Sequence, residues 1–231
     1  MNLKMNLLKS LFFSLTMCVS TYTMASGIGL GATRVIYDEE SAQSSLAIHN
    51  SDAHERFLIQ AWVEDEGGNK TADFAVTPPL FTSSPKSENS LRIIYTGKPL
   101  PQDKETVYWL SVKAIPAVDK NSAKSRNTLQ LAVLSRIKLF MRPHSIDMRS
   151  EDAPNHLIFK KENSKLIIEN PTPYYISLVN LTVGGKKINN EMIAPKNNIS
   201  VVLPSGVTGE VRYQTVNDYG AITASQLGKY Q

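Results

Sequence analysis

Apolar residues recur at every second position along this chain, in runs too short for most helices. ATRVIY (32–37), SLAIHN (45–50), RFLIQAWVED (56–65), SLRIIY (90–95) and TVYWLSVKAI (106–115) are rich in β-branched and aromatic side chains. They alternate as a half-buried strand does, with successive side chains on opposite faces. Between them lie SDAH, DEGGNK, TPP and GKPLPQDKE, and such Gly, Pro, Asp and Asn clusters punctuate strands. Turn signals about every eight to twelve residues favour an antiparallel sandwich or barrel over parallel β-α-β units.

After Pro143 the stretch HSIDMRSEDAPN breaks the pattern, and a second series begins. It comprises LIFKK, KLIIEN, YYISLVNLTV, NISVVLP, GEVRYQTV and AITASQL, separated by NPTP, GGKKINN, PSG and NDYG. The expectation is an all-β protein with two sandwich domains, residues 27–148 and 149–231, joined near 148–152. At roughly 120 and 80 residues, each falls in the size range of an immunoglobulin-like sandwich.

The N-terminus departs from this pattern. In MNLKMNLLKSLFFSLTMCVSTYTMAS, Lys4 and Lys9 precede an apolar stretch from Leu11 to Val19, and small or polar residues follow. That order predicts a cleaved secretory signal over residues 1–26, cut after Ala25 or Ser26, with an apolar core too short to span a bilayer. Cleavage would remove Cys18, the single cysteine, so no disulfide would hold the mature chain in its oxidising compartment. Losing Lys4 and Lys9 lowers the net charge from +4 to +2, because no acidic residue precedes position 27. So small a charge argues against nucleic acid as a partner.

Catalytic patterns are missing from the sequence. It contains no Gly-rich phosphate loop, no His-Glu-x-x-His and no Gly-x-Ser-x-Gly. His49 and His54 flank the turn NSDA, but no third ligand of clear geometry stands near them in sequence. A protein that is not an enzyme is expected, with no catalytic residue, metal, nucleotide or cofactor.

The longest β-like run, LQLAVLSRIKLFMRP (129–143), closes the first domain. Strict alternation puts Leu129, Leu131, Val133, Ser135, Ile137 and Leu139 on one face, and Gln130, Ala132, Leu134, Arg136, Lys138 and Phe140 on the other. A last strand often lies at a sheet edge, where unpaired N–H and C=O groups invite another chain. On pattern alone, Leu129, Leu131 and Val133 either fill their own core or are offered to a partner. Lys138 falls on the face opposite Val133, so a bulge, strand twist or the partner's own path would be needed for both to serve one ligand.

Eight blocks together carry a resemblance: GATRVIY (31–37), LIQAWVED (58–65), VTPPLF (76–81), LPQDKE (100–105), VKAIP (112–116), NTLQLAVLSRIKLFMRP (127–143), NPTPYY (170–175) and NDYGA (217–221). In order and spacing they resemble the periplasmic PapD-like chaperones of the chaperone-usher pathway, above all those of type 1 fimbriae. The resemblance covers essentially the whole mature chain. It implies two immunoglobulin-like domains in a boomerang, with a subunit-binding cleft between them.

By residue, the resemblance assigns Arg34 and Lys138 to grip the C-terminal carboxylate of a pilus subunit. Leu129, Leu131 and Val133 would enter the groove that the subunit lacks a strand to fill. Glu105, Arg142 and Asp218 match a salt-bridge network near the domain interface, and Thr77-Pro78-Pro79 matches a turn with a cis proline. The short polar loop VDKNSAKSRN (118–127) and the cysteine-free mature chain place it in the short-loop branch.

The function so implied is a periplasmic chaperone that binds, folds and caps pilins and adhesins by donor-strand complementation, then delivers them to an outer-membrane usher. The resemblance leaves open whether the free chain caps its own groove by dimerising. The alternative is a secreted two-domain immunoglobulin-like adhesin or pilus structural protein.

Overall fold

A computed structural model describes residues 27–117 and 131–230. The expected signal (1–26), the loop 118–127 and Leu129 lie outside the described residues. In the first half, the strands are β1 (Ile28–Leu30), β2 (Arg34–Asp38), β3 (Ser44–Asn50), β4 (Phe57–Glu64), β5 (Phe74–Thr77), β6 (Leu80–Ser83), β7 (Glu88–Tyr95), β8 (Thr106–Pro116) and β9 (Val133–Arg142). They form two sheets, in the orders β1-β3-β7-β5 and β2-β9-β8-β4-β6.

The expected alternation explains how these sheets pack. Ile59, Ala61 and Val63 of β4, and Leu110, Val112 and Ala114 of β8, point inward against Leu46, Ile48, Leu91 and Ile93 of the facing sheet. Each large aliphatic side chain so buried contributes about 1.5–3 kcal/mol. The chain crosses between sheets after β1, where a Cβ on Gly31 would approach that of Ala47 to 3.0 Å. That crossing places β2 beside β9 in parallel, starting with Arg34 opposite Lys138.

The second half repeats the design with β10 (Ile158–Glu162), β11 (Lys165–Asn170), β12 (Ile176–Val183), β13 (Lys186–Lys187), β14 (Glu191–Ile193), β15 (Asn197–Val202), β16 (Val211–Thr215), β17 (Gln226–Leu227) and β18 (Lys229–Tyr230). Its sheets run β15-β11-β10-β18 and β13-β12-β16-β17, with β14 also paired to β12. A separate core forms around Phe159, Leu166, Ile168, Leu181, Val183 and Val211. The architecture is two all-β, immunoglobulin-like sandwiches, each with its own core, as the alternation predicts.

The local differences have local causes. AITASQL was expected to be a strand, but its ladder narrows to Gln226–Leu227. The turn before it uses the Asn217 side chain, whose Oδ1 accepts from the backbone N–H groups of Tyr219 and Ala221, and such a turn competes with the ladder. β1 and β6 are too short to show a period, whereas β5, though only four residues long, alternates buried and exposed positions. The peptide between Thr77 and Pro78 is cis.

Candidate functional site

β9 runs as an unbroken antiparallel partner of β8, from Val133 opposite Ala114 to Met141 opposite Thr106, with no register shift. No bulge therefore brings Val133 and Lys138 to one face. The aliphatic series instead divides along the strand. Leu139 and Met141 are buried in the first core and Ile137 packs against it, whereas Val133 is 60% exposed and Leu131, just before the ladder, is 68% exposed. The two readings of this face hold for different halves of the run: its end fills its own core, and Leu131 and Val133 fill no core among the described residues.

The edge of β9 divides at the same place. From Lys138 to Arg142 it lies between β8 and β2, but β2 begins only at Arg34. From Val133 to Ile137, β9 therefore has β8 on one side and no strand on the other among the described residues. Three cations stand on its outward face, and each meets a different environment.

Arg136 is held within the first sandwich. Its Nε lies 2.8 Å from Glu64 Oε2 and its guanidinium 4.3 Å from the centre of the Trp109 ring. Glu64 also accepts from Trp62 Nε1 at 2.6 Å and Ser111 Oγ at 3.2 Å. Arg136 thus has its carboxylate partner within its own sandwich.

Arg142 joins the two sandwiches. Its Nε donates to Glu105 Oε1 at 2.8 Å, and Nη1 and Nη2 donate to the two oxygens of Asp218 at 2.7 and 2.9 Å. Ser150 Oγ adds a hydrogen bond to Asp218 at 2.7 Å. Glu105, only 3% exposed, accepts from the Tyr175 amide at 2.9 Å through its other oxygen. Burial works against the Arg142 charge, but hydrogen bonding and attraction from Asp218 and Glu105 outweigh it and raise its pKa. Burial likewise opposes the Asp218 charge, yet the hydrogen bonds from Arg142 and Ser150 hold its pKa below the ordinary value. The three residues assigned to an interdomain network therefore meet.

Arg34 and Lys138 also meet, side by side on β2 and β9, but no carboxylate pairs with either among the described residues. Lys138 Nζ donates to Ser177 Oγ at 3.0 Å. Arg34 donates from Nη1 to the Val216 carbonyl at 3.0 Å and from Nη2 to the same Ser177 oxygen at 3.5 Å. Its guanidinium lies 5.6 Å from the Phe140 ring centre, and its buried Nε has no acceptor among the described residues. Burial, and then the neighbouring Arg34 charge, push the Lys138 pKa down to about 8. Burial also lowers that of Arg34. Asp218 and Glu105 act on Arg34 only from a distance, and two adjacent, partly desolvated cations with no directly paired carboxylate form an arrangement more typical of binding sites than of scaffolding.

Ser177, on β12, and the Val216 carbonyl were not among the sequence candidates. Nothing in YYISLVNLTV separates Ser177 from an ordinary strand serine; only the approach of the second sandwich gives it a role. His49 Nδ1 lies 3.4 Å from Glu88, and no group of three His, Cys, Asp or Glu side chains suited to a metal occurs among the described residues.

Comparison with known proteins places both sandwiches in one family. Residues 27–147 match the family model for the N-terminal domain of the pili and flagellar-assembly chaperone PapD, and residues 152–227 match that for the PapD C-terminal domain. The probable fimbrial chaperone SfmC of Escherichia coli (strain K12) is 49% identical over 220 residues, covering 95% of each chain. The crystal structure of the periplasmic chaperone SfaE is 43% identical and superposes with a TM-score of 0.78, over 88% of this chain and 100% of that one. A chain from the Salmonella enterica SafA pilin in complex with the SafB chaperone is 32% identical, with a TM-score of 0.80 over 89% of this chain and 97% of that one. With both of its sandwiches matched and nearly its whole described length aligned to such relatives, this chain belongs to the PapD family of pilus-assembly chaperones.

Proposed function

We propose that the protein captures pilus subunits, tip adhesins included, by lending them β9 and the residues just before it, with Arg34 and Lys138 binding the subunit's terminal carboxylate. The observation that carries this reading is where the free edge of β9 stops: at an uncompensated pair of cations.

Strand direction follows from the same geometry. β2 runs parallel to β9 and starts at Arg34, opposite Lys138. A subunit strand added in line with β2 and running the same way ends where β2 begins, so its C-terminal carboxylate arrives at both cations. Run the other way, it would bring a positive N-terminus or an interior residue to them. Main-chain hydrogen bonds along an edge give such added strands their affinity, and alternating side chains give specificity.

The aliphatic and cationic groups have separate tasks. Leu131 and Val133, with Leu129 preceding them, contribute about 1.5–3 kcal/mol each when their side chains become fully buried in the subunit. Charge-assisted hydrogen bonds to the carboxylate add about 1.5–3 kcal/mol each, with Arg34 presenting a planar fork and Lys138 a point charge. A slip by one residue would turn every inserted side chain to the wrong face. The terminal anchor therefore sets the register and corrects for Lys138 facing away from Val133: the ligand reaches Lys138 along the edge, not through the face.

In this reading the protein is exported by the signal at residues 1–26, works in the periplasm without nucleotide or catalysis, and passes its cargo to an outer-membrane usher. The relatives' chaperone names and the pilin bound by SafB support it. The test is co-expression with candidate subunits in a bacterial periplasm, followed by native mass spectrometry. A 1:1 heterodimer that disappears in Arg34→Ala and Lys138→Ala, with both variants still folded, is the expected result. Undiminished heterodimer in both variants would overturn the anchor.

A further inference from the structure

The second sandwich contributes more to the anchor than support. Ser177 Oγ stands between Lys138 Nζ and Arg34 Nη2, at 3.0 and 3.5 Å, on a residue only 5% exposed. A hydroxyl oxygen has two lone pairs and can accept from both cations at once while keeping its own proton. No contact among the described residues uses that proton. The hydroxyl is also neutral, in a cleft where the second sandwich meets Arg142 with the carboxylate of Asp218.

We propose that Ser177 is a positioning residue and the third donor of the carboxylate site. Its oxygen holds the two cations together before cargo arrives, and its O–H donates to the incoming carboxylate. The site is then assembled across both sandwiches, and its neutrality at position 177 keeps it able to bind. An acidic residue there would act as an internal substitute for the cargo. The low pKa of Lys138, about 8, fits a site whose charges await an external anion.

This inference rests on the anchor reading above, and the experiment separates the two. The probe is a synthetic peptide from the C-terminal strand of a co-purified subunit, made as free acid and as amide and titrated against the full chaperone. If the wild type binds both equally, the anchor reading fails, and the inference fails with it. If the free acid binds better, Ser177→Ala should weaken it about tenfold, one hydrogen-bond network's worth, leave the amide nearly unchanged, and be rescued by Ser177→Thr.

Ser177→Asp supplies the opposite sign. It should raise the melting temperature of the free chaperone and the Lys138 pKa, read by NMR at Nζ, while removing the preference for free acid over amide. A free-acid preference undiminished in Ser177→Ala, or one that survives in Ser177→Asp, would overturn the role of Ser177 while leaving Arg34 and Lys138 in place.

Discussion

Lys138 and Arg142 lie on the same face of one strand, β9, beside one partner strand and under the same second sandwich. Arg142 meets two carboxylates there; Lys138 meets a hydroxyl and another cation. The difference separates a cation that joins the molecule together from one kept for something else. A buried charge with its partners in place is costly to disturb, because removing one member leaves the others uncompensated. A partly buried charge without an anion weakens the fold that holds it and becomes favourable only on binding.

The sharpest way to break the contrast is to remove Arg142. Arg142→Ala leaves Glu105 buried with no cation, and stability measured by denaturant should fall by about 3–5 kcal/mol. Lys138→Met should leave stability unchanged or slightly raised while weakening capture of cargo. Equal losses in the two variants would erase the distinction.

Next in size is the response to pH. The Lys138 pKa is lowered from 10.5 to about 8 in the folded chain, so between those values the unfolded chain holds more of its proton and stability rises with pH. Binding of a carboxylate needs the charged ammonium, so affinity for free-acid peptide should fall over the same window. Lys138→Met should lack both components when its stability and binding curves are subtracted from those of the wild type. Parallel pH trends in stability and affinity would contradict the assignment.

The smallest effect sharpens the second contrast, between the two ends of β9. Val133→Ala, at a 60% exposed position, should change stability by less than about 0.5 kcal/mol, as exposed substitutions usually do, while weakening cargo capture several-fold. Leu139→Ala, in the core, should cost about 2–5 kcal/mol in denaturant unfolding. A stability loss at Val133 comparable to that at Leu139 would show that the whole strand serves its own core.

The fold was readable in the sequence because its signal is local. Alternation in FLIQAWVE or TVYWLSVKAI follows from backbone pleating, so the inward residues Ile59, Ala61, Val63, Leu110, Val112 and Ala114 could be told from their neighbours without knowing what they touch. The same rule assigned Val133 and Leu139 to one face, yet it could not tell that one is exposed and the other buried. That depends on where the facing sheet ends. Arg34 and Lys138 were named through a resemblance spread over eight blocks, not through periodicity, which placed Lys138 away from the aliphatics.

The amino-acid sequence by itself determined two all-β sandwiches and one long strand bearing aliphatics followed by cations. Only the tertiary structure decided which cations are neutralised, where the free edge stops, and that Ser177 meets both Arg34 and Lys138. The reason is distance along the chain: pleating is set between adjacent residues, whereas Lys138 meets Ser177 across 39 positions and Arg34 meets Val216 across 182. Charge compensation at such separations depends on how two finished sandwiches come together, which no local pattern specifies.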